Sequence, residues 1–345
     1  MIKPLTDLTE KELSGKKVLL RVDFNVPVEN GKILDAHKIK AHKETVDYLI
    51  NRGAAVTLLS HVTAVESFEP LAGQIQEILG TKNFSLFDNV RKYKGEKAND
   101  EEFARELAKL SDIYVNDAFS ESHRDYASVT TVTKFLPSYA GLLLVKEIEN
   151  LNIVIKLPKE GKTLIIGGAK VNTKFPVIKN FLDKAEHILI GGVVANVFLK
   201  AKGIAIGESL TDDNFLNEAK NLIGSGNKII VPEDYIEHEC MILDIGEKTI
   251  NHFSEIIAKS KVVIWNGPLG KSEVEQFSQG TKKVAEAIIN SDAFSVVGGG
   301  DTIAFLEKNN IIDKFGYIST GGGAMLNFLA GNKLPGLEVL GYYDA

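Results

Sequence analysis

TLIIGGAKVNTKFPVIKNFLDKAEHILIGG, residues 163–192, sets two short apolar runs, each closing on a glycine pair, on either side of a longer amphipathic stretch. This is the pattern of a strand, a crossover helix and a second strand parallel to the first. The pattern repeats outward in both directions. Downstream lie KIIVPED from Lys228, KVVIWNG from Lys261, AFSVVGGG from Ala293 and FGYIST from Phe315. Upstream lie KKVLLRVDF from Lys16, AAVTLLSHV from Ala54, FSLFDNV from Phe84 and IYVNDAF from Ile113. Helical stretches separate them, such as EEFARELAKL from Glu101, whose first turn Asn99 or Asp100 can cap. The fold class is α/β.

At 345 residues the chain exceeds what one hydrophobic core usually organises, so two domains are expected. The join is placed in PSYAGLLLVKEIENLNIVIKLPKEGK, residues 137–162, giving domains at 1–154 and 155–332. A tail, 333–345, is expected to pack back on the first domain. With 40 basic against 46 acidic residues, a formal charge of −6, the chain lacks the basic surface of a nucleic-acid binder. Its one cysteine, Cys240, permits no internal disulfide and no cysteine-built zinc site, and is expected to be a buried small hydrophobe. No apolar run approaches the roughly 20 residues needed to cross a bilayer. The first residues alternate charge with isolated apolar side chains, so no signal peptide, no membrane contact and a cytoplasmic setting are expected.

Polar residues close the strands of the first half: Arg21, Asp23 and Asn25; His61; Asn89 and Arg91; Asn116 and Asp117, with His123 and Arg124 just beyond. In a parallel sheet these ends converge, and Arg, His and Asn together suit a small anion held by guanidinium forks. Any one of them could equally be a strand-end residue pairing locally; the repetition over four strands favours a site. In the second half Lys170 and Lys174 stand four apart at a helix start and could face a phosphate chain, or solvent. Three glycine clusters, Gly191-Gly192, Gly298 to Thr302 and Ser319 to Gly323, follow strands and open helices, where free N–H groups and the positive dipole end attract anions. G-x-x-x-x-G-K-[ST] and G-x-G-x-x-G are both absent, so neither a P-loop nor a dinucleotide fingerprint is present. His123-Arg124-Asp125 imitates a protein-kinase catalytic loop, but Thr130 stands where its Asn belongs.

Taken in order, RVDFNVP (21–27), Ser60-His61, NVR (89–91), YVNDAF with His123-Arg124, KFLPSYAG (134–141), GGAKV-x-x-K, DIGEKT (244–249), WNGPLG-x-x-E (265–273), GGGDT and STGGGA resemble the phosphoglycerate kinase family. The resemblance implies two Rossmann-like lobes joined by a helical hinge, each a parallel sheet covered by helices on both faces. It also implies reversible phosphoryl transfer between 1,3-bisphosphoglycerate and ADP, giving 3-phosphoglycerate and ATP, by a monomer working with Mg²⁺ and ATP or ADP. By position, Asp23, Phe24, Asn25, Lys38, His61, Arg91 and Arg124 would bind the phosphoglycerate. Lys174, Gly191, Glu273, Gly299, Gly300, Asp301 and Thr302 would bind the nucleotide, with Asp301 near the metal. Lys170, Lys38, Gly321 and Gly322 would stabilise the phosphoryl group in transit.

Three departures from the family pattern stand out. Lys38 replaces the usual Arg, keeping the charge and losing the planar fork. After Ser60-His61 the chain reads VTAVESFEP rather than a Gly-Arg-Pro loop, with Ala64 near the position of the expected Arg. Ser120-Glu121 replaces a Gly-Thr pair, which sets a carboxylate beside an anion site and is expected to be repulsive there unless it points away. The alternatives to a working kinase of this type are a nucleotide-binding relative with impaired catalysis and a kinase for another small carboxylate. His37 and His42, near Lys38, are expected on the helix surface.

Overall fold

Val18, Leu19 and Leu20 are apolar on both faces of their strand and fully buried, as the middle of a parallel sheet requires. Lys17–Arg21 accordingly sits at the centre of a five-stranded sheet in the order Phe84–Leu86, Ala55–Leu59, Lys17–Arg21, Ile113–Asn116, Ser138–Ala140. All four pairings are parallel, with Arg21 beside Leu59 on one flank and Asn116 on the other. This computed structural model describes residues 2–224 and 228–344. It divides into one unit of Met1–Glu149 with Lys333–Ala345 and another of Asn150–Asn332. The division falls inside helix Leu142–Lys156, five residues before the position read from the sequence.

The second unit is built on a six-stranded parallel sheet in the order Ile229–Ile230, His187–Ile190, Lys162–Ile166, Val262–Asn266, Phe294–Gly298, Tyr317–Ser319. In both sheets the chain starts in the middle, winds out one way and then the other. The strand order therefore reverses between Lys17–Arg21 and Ile113–Asn116 in one, and between Lys162–Ile166 and Val262–Asn266 in the other. Such a switch point opens a crevice beyond the carboxyl ends of the two strands, where ligands of open α/β sheets bind. The ten strands expected from the sequence are all present. Ser138–Ala140 and two antiparallel hairpins, Val28–Glu29 with Lys32–Ile33 and Tyr235–His238 with Met241–Ile245, are additional. Cys240 is not a core residue: it is exposed in the two-residue turn of the second hairpin, where Glu239 and Cys240 both have positive φ.

Candidate functional site

In the first unit, the segment leaving Lys17–Arg21 and the segment leaving Ile113–Asn116 meet across the switch point and build a charged cluster. Arg21 is wholly buried: its Nε donates to Ser128 Oγ at 3.0 Å, Nη1 donates to the carbonyl of Val22, and Nη2 lies 3.5 Å from His61 Nδ1. Ser128 Oγ in turn donates to the buried Glu96 carboxylate at 2.6 Å, which locks the guanidinium in place. Because Arg21 only donates, His61 Nδ1 is the acceptor and its proton sits on Nε2. Burial, with the Arg21 charge adding to it, pushes the His61 imidazole down to about 3, so it is a neutral donor.

Asp23 holds this cluster to the first helix. Its Oδ2 accepts from Lys38 Nζ at 2.9 Å and Ser120 Oγ at 2.6 Å, and its Oδ1 accepts from the Asn25 amide at 2.9 Å. Burial alone would raise this carboxyl; the Lys38 ammonium, then His61 and the Ser120 hydroxyl, hold it well below the usual carboxylate range. The ammonium of Lys38 stays charged for the converse reason: burial opposes the charge and Asp23 outweighs it. Lys38 thus contacts Asp23 through a single point.

His42 departs from its expected surface position. It is buried, its Nε2 accepts from the Asp23 amide at 2.9 Å, and its Nδ1 donates to Asp117 Oδ2 at 2.7 Å. Asp117 is itself anchored, accepting from Thr45 Oγ1 and the Leu143 amide, both at 2.9 Å. The spacing Lys38 to His42, one helical turn, was the signal for this placement, since residues four apart share a helix face. Phe24 also differs from expectation: its ring is core, edge-on to His42 and Phe68 at centroid distances of 6.0 and 6.3 Å. A phenyl group between two rings has no polar atom to offer a substrate; it fixes His42.

The remaining expected acid-site residues divide by exposure. Arg91 is half-buried, with its guanidinium 5.7 Å over the ring of Tyr126, and Arg124 is exposed. Asn25 Oδ1 accepts from the Thr63 amide at 2.9 Å, and Asn89 Nδ2 donates to the Val62 and Val65 carbonyls at 2.7 and 3.0 Å. These two asparagines pin the short loop that follows His61. Glu121 does not point away from the cluster. Its Oε2 accepts from Arg91 Nη2 at 3.0 Å and lies 3.9 Å from Arg21 Nη2, while Oε1 is 3.9 Å from His61 Nε2. It sits among the cations of the cluster instead, although burial outweighs them and raises its carboxyl.

In the second unit the glycines at the strand ends allow two loops to close on each other. The Gly167 amide donates to Asn266 O at 3.0 Å and the Gly168 amide to Pro268 O at 2.7 Å, and a Cβ on Gly167 would collide with that same Pro268 oxygen. Beside this turn lies a cavity of about 540 Å³, within the usual range for a small-molecule site. Leu199, Pro232, Leu243 and Phe305 give it apolar walls, and Glu273 and Asp301 stand at its polar edge. Flat apolar walls with a polar margin suit a nucleoside.

Lys170 is exposed at the N-cap of helix Val171–Phe181. One turn on, Lys174 is buried, with its Nζ donating to Asn266 Oδ1. Burial pushes its amine down to about 8, against the pull of Asp301 and with the help of Lys170. Gly191, Gly299 and Gly322 occupy the N-caps of Gly192–Ala201, Gly300–Lys308 and Gly323–Leu329, and the Gly321 amide donates to Ser319 Oγ at 3.1 Å. Gly300 and Asp301 are exposed at the start of their helix. Thr302 is wholly buried and its Oγ1 accepts from the Gly267 amide at 3.0 Å, so the hydroxyl ties two turns together. Asn266, between Lys174 and the turn, was not singled out as a site residue, although it stands in the WNGPLG segment.

No group of three or more His, Cys, Asp or Glu side chains that could hold a metal occurs among the described residues. Two exposed carboxylates, Glu273 and Asp301, border the cavity, and an exposed carboxylate such as Asp301 suits a Mg²⁺ ion that keeps most of its waters. No helix among the described residues is long and apolar enough to cross a membrane.

The phosphoglycerate kinase family model matches residues 7–82 and 64–332. Curated relatives include phosphoglycerate kinases of Dictyoglomus turgidum, 40% identical with 98% of each chain covered, and of Francisella philomiragia, 41% identical with 96% of this chain and 97% of that one covered. Among solved structures, phosphoglycerate kinase from Coxiella burnetii superposes with a TM-score of 0.88 at 34% identity, and that from Pyrococcus horikoshii with 0.89 at 31%, each over the whole of both chains. With the family model and the curated relatives matching nearly the whole chain, this protein belongs to the phosphoglycerate kinase family.

Proposed function

We infer that this chain transfers a phosphoryl group reversibly between 1,3-bisphosphoglycerate and ADP, giving 3-phosphoglycerate and ATP, as a glycolytic phosphotransferase with a carboxyl acceptor. The observation that carries this reading is the family match running through both units rather than one. A nucleotide-binding relative without turnover, or a kinase for another small carboxylate, is not favoured, because the relatives over the full length are named phosphoglycerate kinase. Magnesium bound to the nucleotide and a monomeric, cytoplasmic enzyme are part of the same proposal.

Phosphoryl transfer asks little covalent chemistry of the protein and much positioning and charge neutralisation. On this reading Arg91, Arg124 and the neutral His61 donor, backed by the buried charge of Arg21, hold the phosphoglycerate anions, with Asp23 and Asn25 oriented towards its polar groups. Lys38 supplies a point charge to the transferring group. The cavity takes the nucleoside against Leu243 and Phe305 with Glu273 at its edge, while Lys170, Lys174 and the helix starts at Gly299 and Gly321-Gly322 meet the phosphates. Mg²⁺ bound beside Asp301 would screen the charge of those phosphates. Transfer proceeds once the two bound substrates lie in line with water excluded.

The test is a coupled steady-state assay in the ATP-forming direction with 1,3-bisphosphoglycerate generated in place, alongside Lys170→Ala. Turnover that falls on the order of 10²-fold or more in the variant is expected, in line with loss of a transition-state charge contact. Absence of turnover from the unmodified protein, with MgADP binding intact, would overturn the reading.

A further inference from the structure

The cations of the acid site are already partly neutralised by the chain itself. Glu121 is buried on the short turn Phe119–Glu121, and its carboxylate faces Arg21, Arg91 and Arg124, with the Lys38 ammonium also within electrostatic reach and Asp23 as the one opposing anion. The backbone of the turn is fixed, with the Glu121 amide donating to Ala118 O at 3.1 Å and the Arg124 amide donating to Glu121 O at 2.9 Å. The side chain is held more loosely. It makes one hydrogen bond, to Arg91 at 3.0 Å, and stands 3.9 Å from Arg21 Nη2 and from the neutral His61 Nε2, beyond hydrogen-bond range.

What Glu121 leaves unsatisfied points to a second occupant. Among the described residues, Arg91 Nε and His61 Nε2 are both buried donors without a hydrogen-bond partner, and both belong to side chains that the Glu121 carboxylate already touches or faces. Buried donors are normally paired, and a lone one is costly. A carboxylate or phosphate reaching Arg91 through both edges of its fork, and His61 through Nε2, would satisfy all of these at once. Glu121 cannot do so from its own turn. Burial also raises its carboxyl above the ordinary range, despite the surrounding arginines, so the group is a poorly stabilised anion where it stands.

We propose that Glu121 is a displaceable internal counter-ion, occupying the anion position of the acid site and yielding Arg91 to the substrate's anionic group. The inference rests on the reading of this cluster as the phosphoglycerate site, and it adds a residue that sets affinity and selectivity there. A singly charged carboxylate would merely exchange with Glu121. A phosphate group, carrying about −2 near neutral pH, gains over it, so the site is tuned towards phosphorylated acids.

The test compares the full-length protein with Glu121→Gln, which keeps shape and removes charge, and Glu121→Thr, which removes the carboxylate altogether. Thermal unfolding is titrated with sodium sulfate as the dianion probe, against sodium chloride at matched ionic strength. Both variants are expected to unfold at lower temperature without sulfate, to be restored by it, and to reach half-effect at about tenfold lower sulfate than the unmodified protein, the scale of relieved like-charge contacts in a binding site. The KM for 3-phosphoglycerate is expected to fall similarly while that for ATP stays put. Unchanged or weaker sulfate stabilisation in both variants would overturn the proposal, as would a raised KM for 3-phosphoglycerate, which is the mark of a residue that positions Arg91. The sulfate comparison decides the role of Glu121 even if 3-phosphoglycerate is not turned over, so failure of the substrate reading and failure of this inference are separable.

Discussion

Lys174 sits beneath the glycine turns of the second unit with an amine whose affinity for protons is set by burial. In the unfolded chain such an amine titrates near about 10.4; in the fold it titrates at about 8. The folded state therefore binds fewer protons between those two values, and the stability of the ligand-free protein rises with pH across that window. Below pH 8 the cost of the buried charge is present in full. Nucleotide phosphates reverse the preference, because an anion beside the amine favours its charged form. Binding of MgADP at pH 8.5–9 should then take up a proton, and its affinity should fall roughly tenfold as pH rises from about 7.5 to 9.5. Calorimetric titration in two buffers of different ionisation enthalpy measures the uptake directly. Lys174→Gln should bind more weakly at every pH and show no uptake; uptake that persists in the variant would place the titrating group elsewhere.

The turn from strand Phe294–Gly298 into helix Gly300–Lys308 shows how an element, rather than a residue, shapes the site. Gly299 has φ 99 and ψ 126, a conformation open to glycine and strained for other residues. A Cβ there would lie 3.2 Å from Asn266 Oδ1, the atom that accepts from Lys174. Gly299→Ala should therefore cost on the order of 1–3 kcal/mol of stability and weaken MgADP binding as Asn266 shifts. Gly300→Ala, with open space around its Cβ and no positive φ, is the control that should not lose stability. Equal loss of stability in the two variants on urea unfolding would refute the account. This turn was legible in the sequence, because an apolar run followed by three glycines has few other uses. Ser138–Ala140 was not: three residues behind Pro137 carry no periodicity, and the strand exists because Ile113–Asn116 offers it an edge. The hairpin around Asn30-Gly31 is marked by that dipeptide, whereas Glu239-Cys240 carries no such mark. At the acid site the strand-end residues announced themselves by position. His42 did not, and the contacts of Ser120 and Glu121, which stood out only as departures from the family pattern, depend on which side chains stand across the switch point.

At the scale of the whole molecule, the first unit is discontinuous: the chain leaves it after Glu149 and returns at Lys333. The returning segment is more than a tail. Leu334, Leu337 and Leu340 are buried, and the Gly336 amide donates to Ser122 O at 2.9 Å, next to Glu121. A Cβ on Gly336 would come within 2.9 Å of both Ser122 Cα and Val129 Cγ1, so the segment lies against the turn that carries Ser120 and Glu121 without room to spare. Residues 334–340 thus back the turn that carries Ser120 and Glu121, while the cavity of the second unit is lined by residues between Gly168 and Lys308. Leu337→Ala should remove about 2–5 kcal/mol, the usual cost of truncating a buried leucine, and the loss should fall on one unit. Hydrogen exchange read by mass spectrometry should show reduced protection in strands Lys17–Arg21 and Ile113–Asn116 and in the turn Phe119–Glu121. Strands Lys162–Ile166 and Val262–Asn266 should keep theirs, and MgADP affinity should stay within about twofold, as expected for sites that share no contacts. Sulfate stabilisation, by contrast, should weaken, because the anion site is part of what has loosened. Equal loss of protection in both sheets would show that the two units unfold as one, and the assignment of residues 333–345 to the acid site alone would fall with it.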